Sequence, residues 1–243
     1  MRHRYGRHVH QFADLLVPPD SDGPLPVAVL LHAGFWREQY SLDLADDLAR
    51  DLARRGWAAW NVEYRRVGER SDGGYPATLE DVGAAIDFLP TLDAPLDLAR
   101  VVTVGQSAGG HLAVWAASRE APAVPLAGAV SQAGVHDLRE ADRLGLGEGA
   151  TAEFMRGHAG ERSDAYADAS PIERLPLGVP ALLVHGEADE RVPASMSSSY
   201  AEAARAAGDE IDVALRPGED HFVHLDVEGG AWGDVVGWLE RFG

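Results

Sequence analysis

Ser107 lies in Gly105-Gln106-Ser107-Ala108-Gly109, a G-x-S-x-G pentapeptide. The apolar run VVTVG (101–105) leads into it, and SAGGHLAVWAAS (107–118) leads out as a helix. In that setting the pentapeptide reads as a strand-to-helix elbow that lifts a serine hydroxyl above a sheet. Small residues two positions either side keep the neighbouring elements clear of the turn. The helix N-terminus behind the serine favours developing negative charge. This is the chemistry of a covalent acyl transfer, and it needs a base and an orienting acid. For such an elbow the chain order is serine, acid, histidine. Asp189 follows the run ALLVHG at what would be the carboxyl end of a sheet, where open α/β sheets put their ligands. Glu187 and Glu190 are nearby alternatives, Glu190 also suiting a loop acid that caps the next helix. Beyond the last strand come His221 and His224 in PGEDHFVHLD. His221 is the expected base because it comes first after the turn, with His224 a neighbour of undefined role.

A tetrahedral oxyanion would need two backbone donors. One is the amide of Ala108, directly after the serine. The other is expected from His32-Ala33-Gly34-Phe35-Trp36, the loop after the strand VAVLL, through the amides of Gly34 and Phe35. His32 would brace that loop. Trp36, Tyr64 and Phe222 are expected to meet substrate; Tyr75, His136, Phe154, Tyr166 and Trp232 are further aromatic candidates for which core or lid packing is the simpler reading. Arg65 and Arg66 could face an anionic leaving group, although surface ion pairs account for them more simply.

These residues need a scaffold. Strands are predicted at 11–17, 26–32, 57–64, 101–105, 125–134, 180–186 and 209–218. Helices are predicted at 40–55, 77–89, 107–118, 194–207 and 228–242. The strands are continuous apolar runs separated by helices, the pattern of a mostly parallel sheet covered on both faces. Residues 1–243 read as a single α/β domain. Residues 135–170 break the rhythm with glycines and charges and are the candidate lid. The histidines at 3, 8 and 10 belong to a surface or disordered tail in this reading, not to a metal site.

Composition narrows the chemistry. Of 243 residues, 21 are basic and 39 acidic, for a formal charge of −18. Every basic residue is arginine, and cysteine is absent. No lysine Schiff base, thiolate nucleophile, disulfide or Cys-based zinc site can form. The acidic balance argues against nucleic-acid, anionic-membrane and polyanionic partners. No secretory signal or membrane-spanning run is evident, so a cytoplasmic location is expected.

With these motifs in view, the chain resembles the α/β-hydrolases of the esterase/lipase type, near the hormone-sensitive-lipase-like esterases and the kynurenine formamidase-like enzymes. HAGFW (32–36), NVEYRR (61–66), GQSAGGHLA (105–113), HGEADERVP (185–193) and DHF (220–222) carry the resemblance, in the family's order. It implies an α/β-hydrolase fold, nucleophile Ser107, acid Asp189, base His221 and oxyanion donors Gly34, Phe35 and Ala108. It implies hydrolysis of small carboxylic esters through an acyl-enzyme, with no cofactor and no metal. The alternatives are an arylformamidase acting on N-formyl-kynurenine, a small peptidase, and a non-catalytic binder on the same fold. Ala33 replaces the first glycine of the family's His-Gly-Gly loop, which narrows the backbone allowed there. The short stretch before the first strand implies no large N-terminal cap and a more open pocket. The partner expected is a small ester or amide; oligomeric state is not legible.

Overall fold

The computed structural model describes residues 1–243 apart from Asp20 and Asp22. Eight strands form one sheet: β1 (Arg2–Arg4), β2 (Phe12–Leu16), β3 (Leu25–Leu31), β4 (Ala58–Val62), β5 (Leu96–Gln106), β6 (Gly128–Gln132), β7 (Ala181–Gly186) and β8 (Ile211–Arg216). Their order across the sheet is β1-β2-β4-β3-β5-β6-β7-β8. β1 and β2 are antiparallel at one edge, and the six strands from β4 to β8 are parallel. This is the α/β-hydrolase fold.

Strand periodicity sorts the side chains between two faces. Val27, Val29 and Leu31 of β3 join Ala58, Trp60 and Val62 of β4 in one cluster, under α2 (Ala77–Asp87) and α3 (Ala108–Ala117). Ala28 and Leu30 point the other way. They meet Leu48 and Leu52 of α1 (Asp46–Arg54) and Trp232 and Val235 of the C-terminal helix (Gly230–Leu239). Each fully buried branched side chain contributes about 1.5–3 kcal/mol of burial. With both faces covered, the strands read as unbroken apolar runs.

Two stretches depart from the sequence reading. The N-terminal residues are not a tail, because β1 pairs with β2 and Tyr5 donates to the Glu63 carbonyl at 2.6 Å. A three-residue edge strand is too short to leave a periodic signal. The segment 135–170 folds as α4 (Leu138–Leu144), α5 (Leu146–Met155) and α6 (Ser163–Ala169). These helices bury Phe154, Met155 and Tyr166 against the first cluster. Three consecutive positive-φ residues at 147–149 interrupt α5 and break the helical periodicity of the segment. The remaining long helix, α7 (Ser195–Ala207), covers β7 and β8; the C-terminal helix is α8.

Candidate active site

β5 ends at Gln106, and α3 starts at Ala108, so the whole turn is Ser107. Its backbone sits at φ 56°, ψ −117°, a conformation that L-residues rarely adopt. Hydrogen bonds from Ser107 N to Gln132 O (2.8 Å) and from His111 N to Ser107 O (3.0 Å) hold it there. The flanking glycines are sterically required. A Cβ on Gly105 would lie 2.0 Å from Gly109 O, and one on Gly109 would lie 1.9 Å from Leu31 O. The Ala108 amide is the first of α3, among those a helix leaves without an internal partner.

Asp189 lies in the loop after β7. Its Oδ2 accepts from His221 Nδ1 at 2.6 Å and lies 3.2 Å from His185 Nε2. Its Oδ1 accepts from the amides of Arg191 (2.7 Å) and Val192 (2.9 Å). Burial alone would raise this carboxyl; the donors from His185, His221 and Val192 outweigh it and hold the group well below the usual range. His185 Nε2 also donates to Val192 O at 2.9 Å, and its Nδ1 faces Ser197 Oγ at 2.7 Å. Glu187 and Glu190 are exposed, and neither has a contact to His221.

Two glutamines tie the histidine loop to the sheet. Gln106 Nε2 donates to His221 O at 2.9 Å, and Gln132 Nε2 to His224 O at 3.3 Å. His224 is fully buried, with neither ring nitrogen partnered among the described residues. Burial, helped by His185 and His221, pushes its imidazole down to about 3, so it is neutral at ordinary pH.

Across the site, the loop after β3 carries three successive positive-φ residues: Gly34 (118°), Phe35 (51°) and Trp36 (56°). A Cβ on Gly34 would also meet Tyr40 Cβ at 2.4 Å. The loop is braced from beneath by Glu63, which is buried. Glu63 accepts from His32 Nε2 (3.1 Å), Leu42 N (3.2 Å) and Tyr64 N (3.0 Å), with Arg66 Nε at 3.3 Å. Burial opposes its charge, yet His32, Arg66 and the Tyr64 amide lower the carboxyl below its ordinary range. His32 Nδ1 lies 2.7 Å from Ala33 O, so the ring spans from Glu63 to the loop.

Ser107, His221, Gly34 and Phe35 share the wall of a cavity of about 200 Å³. Tyr40, Leu44, Phe222 and Leu225 make the rest largely apolar, with Ala33, Gln106 and Arg191. Of the side chains expected to meet substrate, only Phe222 lies there. Trp36 is buried; its Nε1 donates to His111 Nδ1 at 3.2 Å and its ring stacks on Phe154 at 4.6 Å. Tyr64 is also buried, stacked on His32 at 4.3 Å with its hydroxyl donating to His32 O at 2.7 Å. Both hold the loop from behind, so neither can touch a molecule in the cavity. Trp232 lies on the far face, donating to Asp51. No residue of 135–170 lines the cavity; that segment contacts the loop from outside, through Arg37–Glu153 at 2.8 Å and Gly147 against Phe35. Arg65 and Arg66 are committed to Asp81 and Glu63. Sequence reasoning missed Glu63, His185, Gln106, Gln132 and Arg191. A polar residue inside or at the end of an apolar strand was the available signal for the first four.

Among the described residues, no group of three or more His, Asp or Glu side chains is arranged to hold a metal. No helix among them is long and apolar enough to cross a membrane. A hydroxyl and an imidazole on one cavity wall, with an ionised carboxylate bound to the imidazole, can carry a proton from attacking oxygen to leaving group.

The chain is 26% identical to a probable isoprenylcysteine alpha-carbonyl methylesterase of Arabidopsis thaliana, over 89% of this chain and 56% of that one. It spans about half the length of the curated relatives of this kind that it matches. Its fold superposes on a truncated carbohydrate esterase from gut microbiota with TM-score 0.86, at 18% identity, covering 99% of this chain and 94% of that one. It superposes likewise on a propionate-bound thermophilic esterase of Thermogutta terrifontis, with TM-score 0.79, at 23% identity, covering 100% and 92%. The BD-FAE family profile matches residues 13–203, most of the chain. With the profile matched over most of its length and the fold in agreement, the chain belongs to the BD-FAE family of esterase-type α/β-hydrolases.

Proposed function

We propose that the protein is a serine hydrolase that cleaves small carboxylic esters through an acyl-enzyme. The observation that carries the reading is the 2.6 Å contact of Asp189 with His221, on the wall of the cavity into which the strained Ser107 elbow opens. Asp189, held ionised, fixes His221 with Nδ1–H donated, which leaves Nε2 free to accept the Ser107 proton. Oγ attacks the acyl carbonyl, and the oxyanion is received by the amides of Ala108 and of Gly34 or Phe35. His221 then protonates the departing alcohol. Water, activated by the same imidazole, releases the acid and restores Ser107.

The cavity volume supports a small substrate. About 200 Å³ is below the ~300–1,000 Å³ of sites that enclose drug-sized ligands. The mainly apolar wall favours a short alkyl or aromatic group. The curated relatives carry methylesterase names, which is consistent with a small alcohol leaving group.

The test is turnover of p-nitrophenyl acetate, butyrate and octanoate, with Ser107→Ala as control and a fluorophosphonate probe to label the serine. The expected result is hydrolysis of the short esters, a loss of at least ~10³-fold in Ser107→Ala, and labelling confined to Ser107. Absence of both turnover and labelling would sink the proposal in favour of a binding role. Turnover of N-formyl-kynurenine far above the best ester would replace the ester by a formamide with the same residues in the same roles.

A further inference from the structure

Most arginines of this acidic chain that could have been available to a ligand are already spent on carboxylates. Arg65 reaches Asp81 at 2.6 Å, Arg66 reaches Glu63 at 3.3 Å, and Arg37 reaches Glu153 at 2.8 Å. Arg191 differs. It is exposed, and among the described residues no carboxylate or other acceptor lies within bonding distance of its guanidinium. It lines the same cavity as Ser107 and His221, where the ionisable residues among those described are Arg191, His221 and the Tyr40 phenol. Among the described residues, no Asp or Glu lines the cavity to neutralise it.

Its root is fixed. The Arg191 amide donates to Asp189 Oδ1 at 2.7 Å, so the carboxylate that grips His221 also sets where this side chain leaves the backbone. Around it the wall is apolar. Tyr40, Leu44 and Phe222 are 37%, 37% and 58% exposed, so large apolar side chains stand uncovered at the cavity. One guanidinium on an apolar rim suits a molecule with an apolar body and one anionic group. A guanidinium pairs with a carboxylate in a two-pronged, charge-assisted hydrogen bond. A polyanion would meet the field of the −18 chain; a single carboxylate meets chiefly the nearest charge.

We propose that Arg191 is a specificity-determining residue that selects esters bearing one carboxylate on an otherwise apolar body, such as half-esters of dicarboxylic acids. The inference rests on the reading of Ser107 as an esterase nucleophile.

The experiment compares matched esters. Mono-p-nitrophenyl glutarate against p-nitrophenyl valerate places the charge on the acyl side. 4-Acetoxybenzoate against phenyl acetate places it on the alcohol side. The readout is the ratio of kcat/KM, anionic over neutral, at low salt. In Arg191→Gln the ratio falls about tenfold for at least one pair, the size expected of one charge-assisted contact. Arg191→Lys keeps the charge without the two-pronged geometry and gives a ratio between those of the parent and Arg191→Gln. Arg191→Glu lowers it further and raises the rate on a quaternary-ammonium ester. Arg7→Gln removes the same charge from an exposed site and leaves the ratio unchanged. A ratio in Arg191→Gln within twofold of the parent for both pairs, or an equal fall in Arg7→Gln, overturns the proposal. If the parent hydrolyses no ester and Ser107 resists the probe, the esterase reading has failed instead. Binding of monomethyl glutarate against dimethyl glutarate, by calorimetry on Ser107→Ala with and without Arg191→Gln, then decides the role of Arg191 alone.

Discussion

Glu63 and Asp189 are two buried carboxylates, one bound to His32 at the start of the Gly34–Phe35 loop and one bound to His221, and they are built alike. Each is opposed by burial, and each is kept ionised by donors that converge on it from backbone and side chain. Glu63 gathers His32, Leu42, Tyr64 and Arg66; Asp189 gathers Arg191, Val192, His185 and His221. The difference lies in what the donors are free to do. The residues gathered around Glu63 are all buried, and none of them lines the cavity. One of Asp189's donors, His221, faces the cavity. The same electrostatic arrangement therefore holds a backbone in one region and, in the proposed mechanism, prepares a proton acceptor in the other.

Substitutions at the two carboxylates should separate these tasks. Asp189→Asn removes the charge that orients His221 and stabilises it when protonated. Ester turnover should fall about 10³–10⁴-fold, measured as kcat on p-nitrophenyl butyrate, with a smaller change in melting temperature. Equal turnover in the variant would mean that the 2.6 Å contact is structural only. Glu63→Gln should do the reverse. It leaves Arg66 and His32 buried without their anion, and breaking such a pair costs about 3–5 kcal/mol. Urea unfolding should register that loss, while kcat in the folded fraction falls only about tenfold through a loosened oxyanion loop. A stable but inactive Glu63→Gln would place this residue in the chemistry.

The smallest effect concerns acid. A depressed carboxyl contributes stability above its ordinary value near 4, and that contribution is lost as pH falls through the folded value. Both carboxylates thus weaken the fold only below about pH 4. Buried histidines act earlier. Burial lowers His111 to about 4 and His136 and His224 to about 3, so the unfolded chain binds protons that the folded chain refuses below about pH 6.5. Stability should fall from pH 6.5 toward 4, by up to about 1.4 kcal/mol per pH unit for each histidine. His224→Phe should flatten the slope by about that amount in urea titrations at pH 6.5, 5.5 and 4.5. An unchanged slope would mean that His224 is protonated in the folded protein.

Much of this site can be read along the chain. The elbow, Asp189, His221 and the alternation of strands and helices are local patterns, each set by a few consecutive residues. What escaped is what depends on partners elsewhere in the sequence. Trp36 and Tyr64 stand beside site residues, and only the packing of Phe154, His111 and His32 shows that they face inward. Glu63 and His185 are polar residues among apolar neighbours, a visible anomaly, but their meaning comes from Leu42, His32 and Ser197 on other elements. Arg191 is one of 21 arginines, and like Arg7 and Arg70 it has no carboxylate partner among the described residues; only its place on the cavity wall, which no local pattern shows, sets it apart.

The glutamine ties bear on how the site comes into being. Gln106 holds His221 across 115 residues of chain, and Gln132 holds His224 across 92. During synthesis, the Ser107 elbow leaves the ribosome long before its histidine exists. Contacts this distant along the chain form only after a large loss of chain entropy, so they come late in folding. Hydrolytic activity should therefore return after the helices, together with the docking of the C-terminal helix, whose Trp232 reaches Asp51 across 181 residues. For this protein, regained turnover would mark completion of the chain's last docking step, and an inactive, compact intermediate is the state to look for just before it.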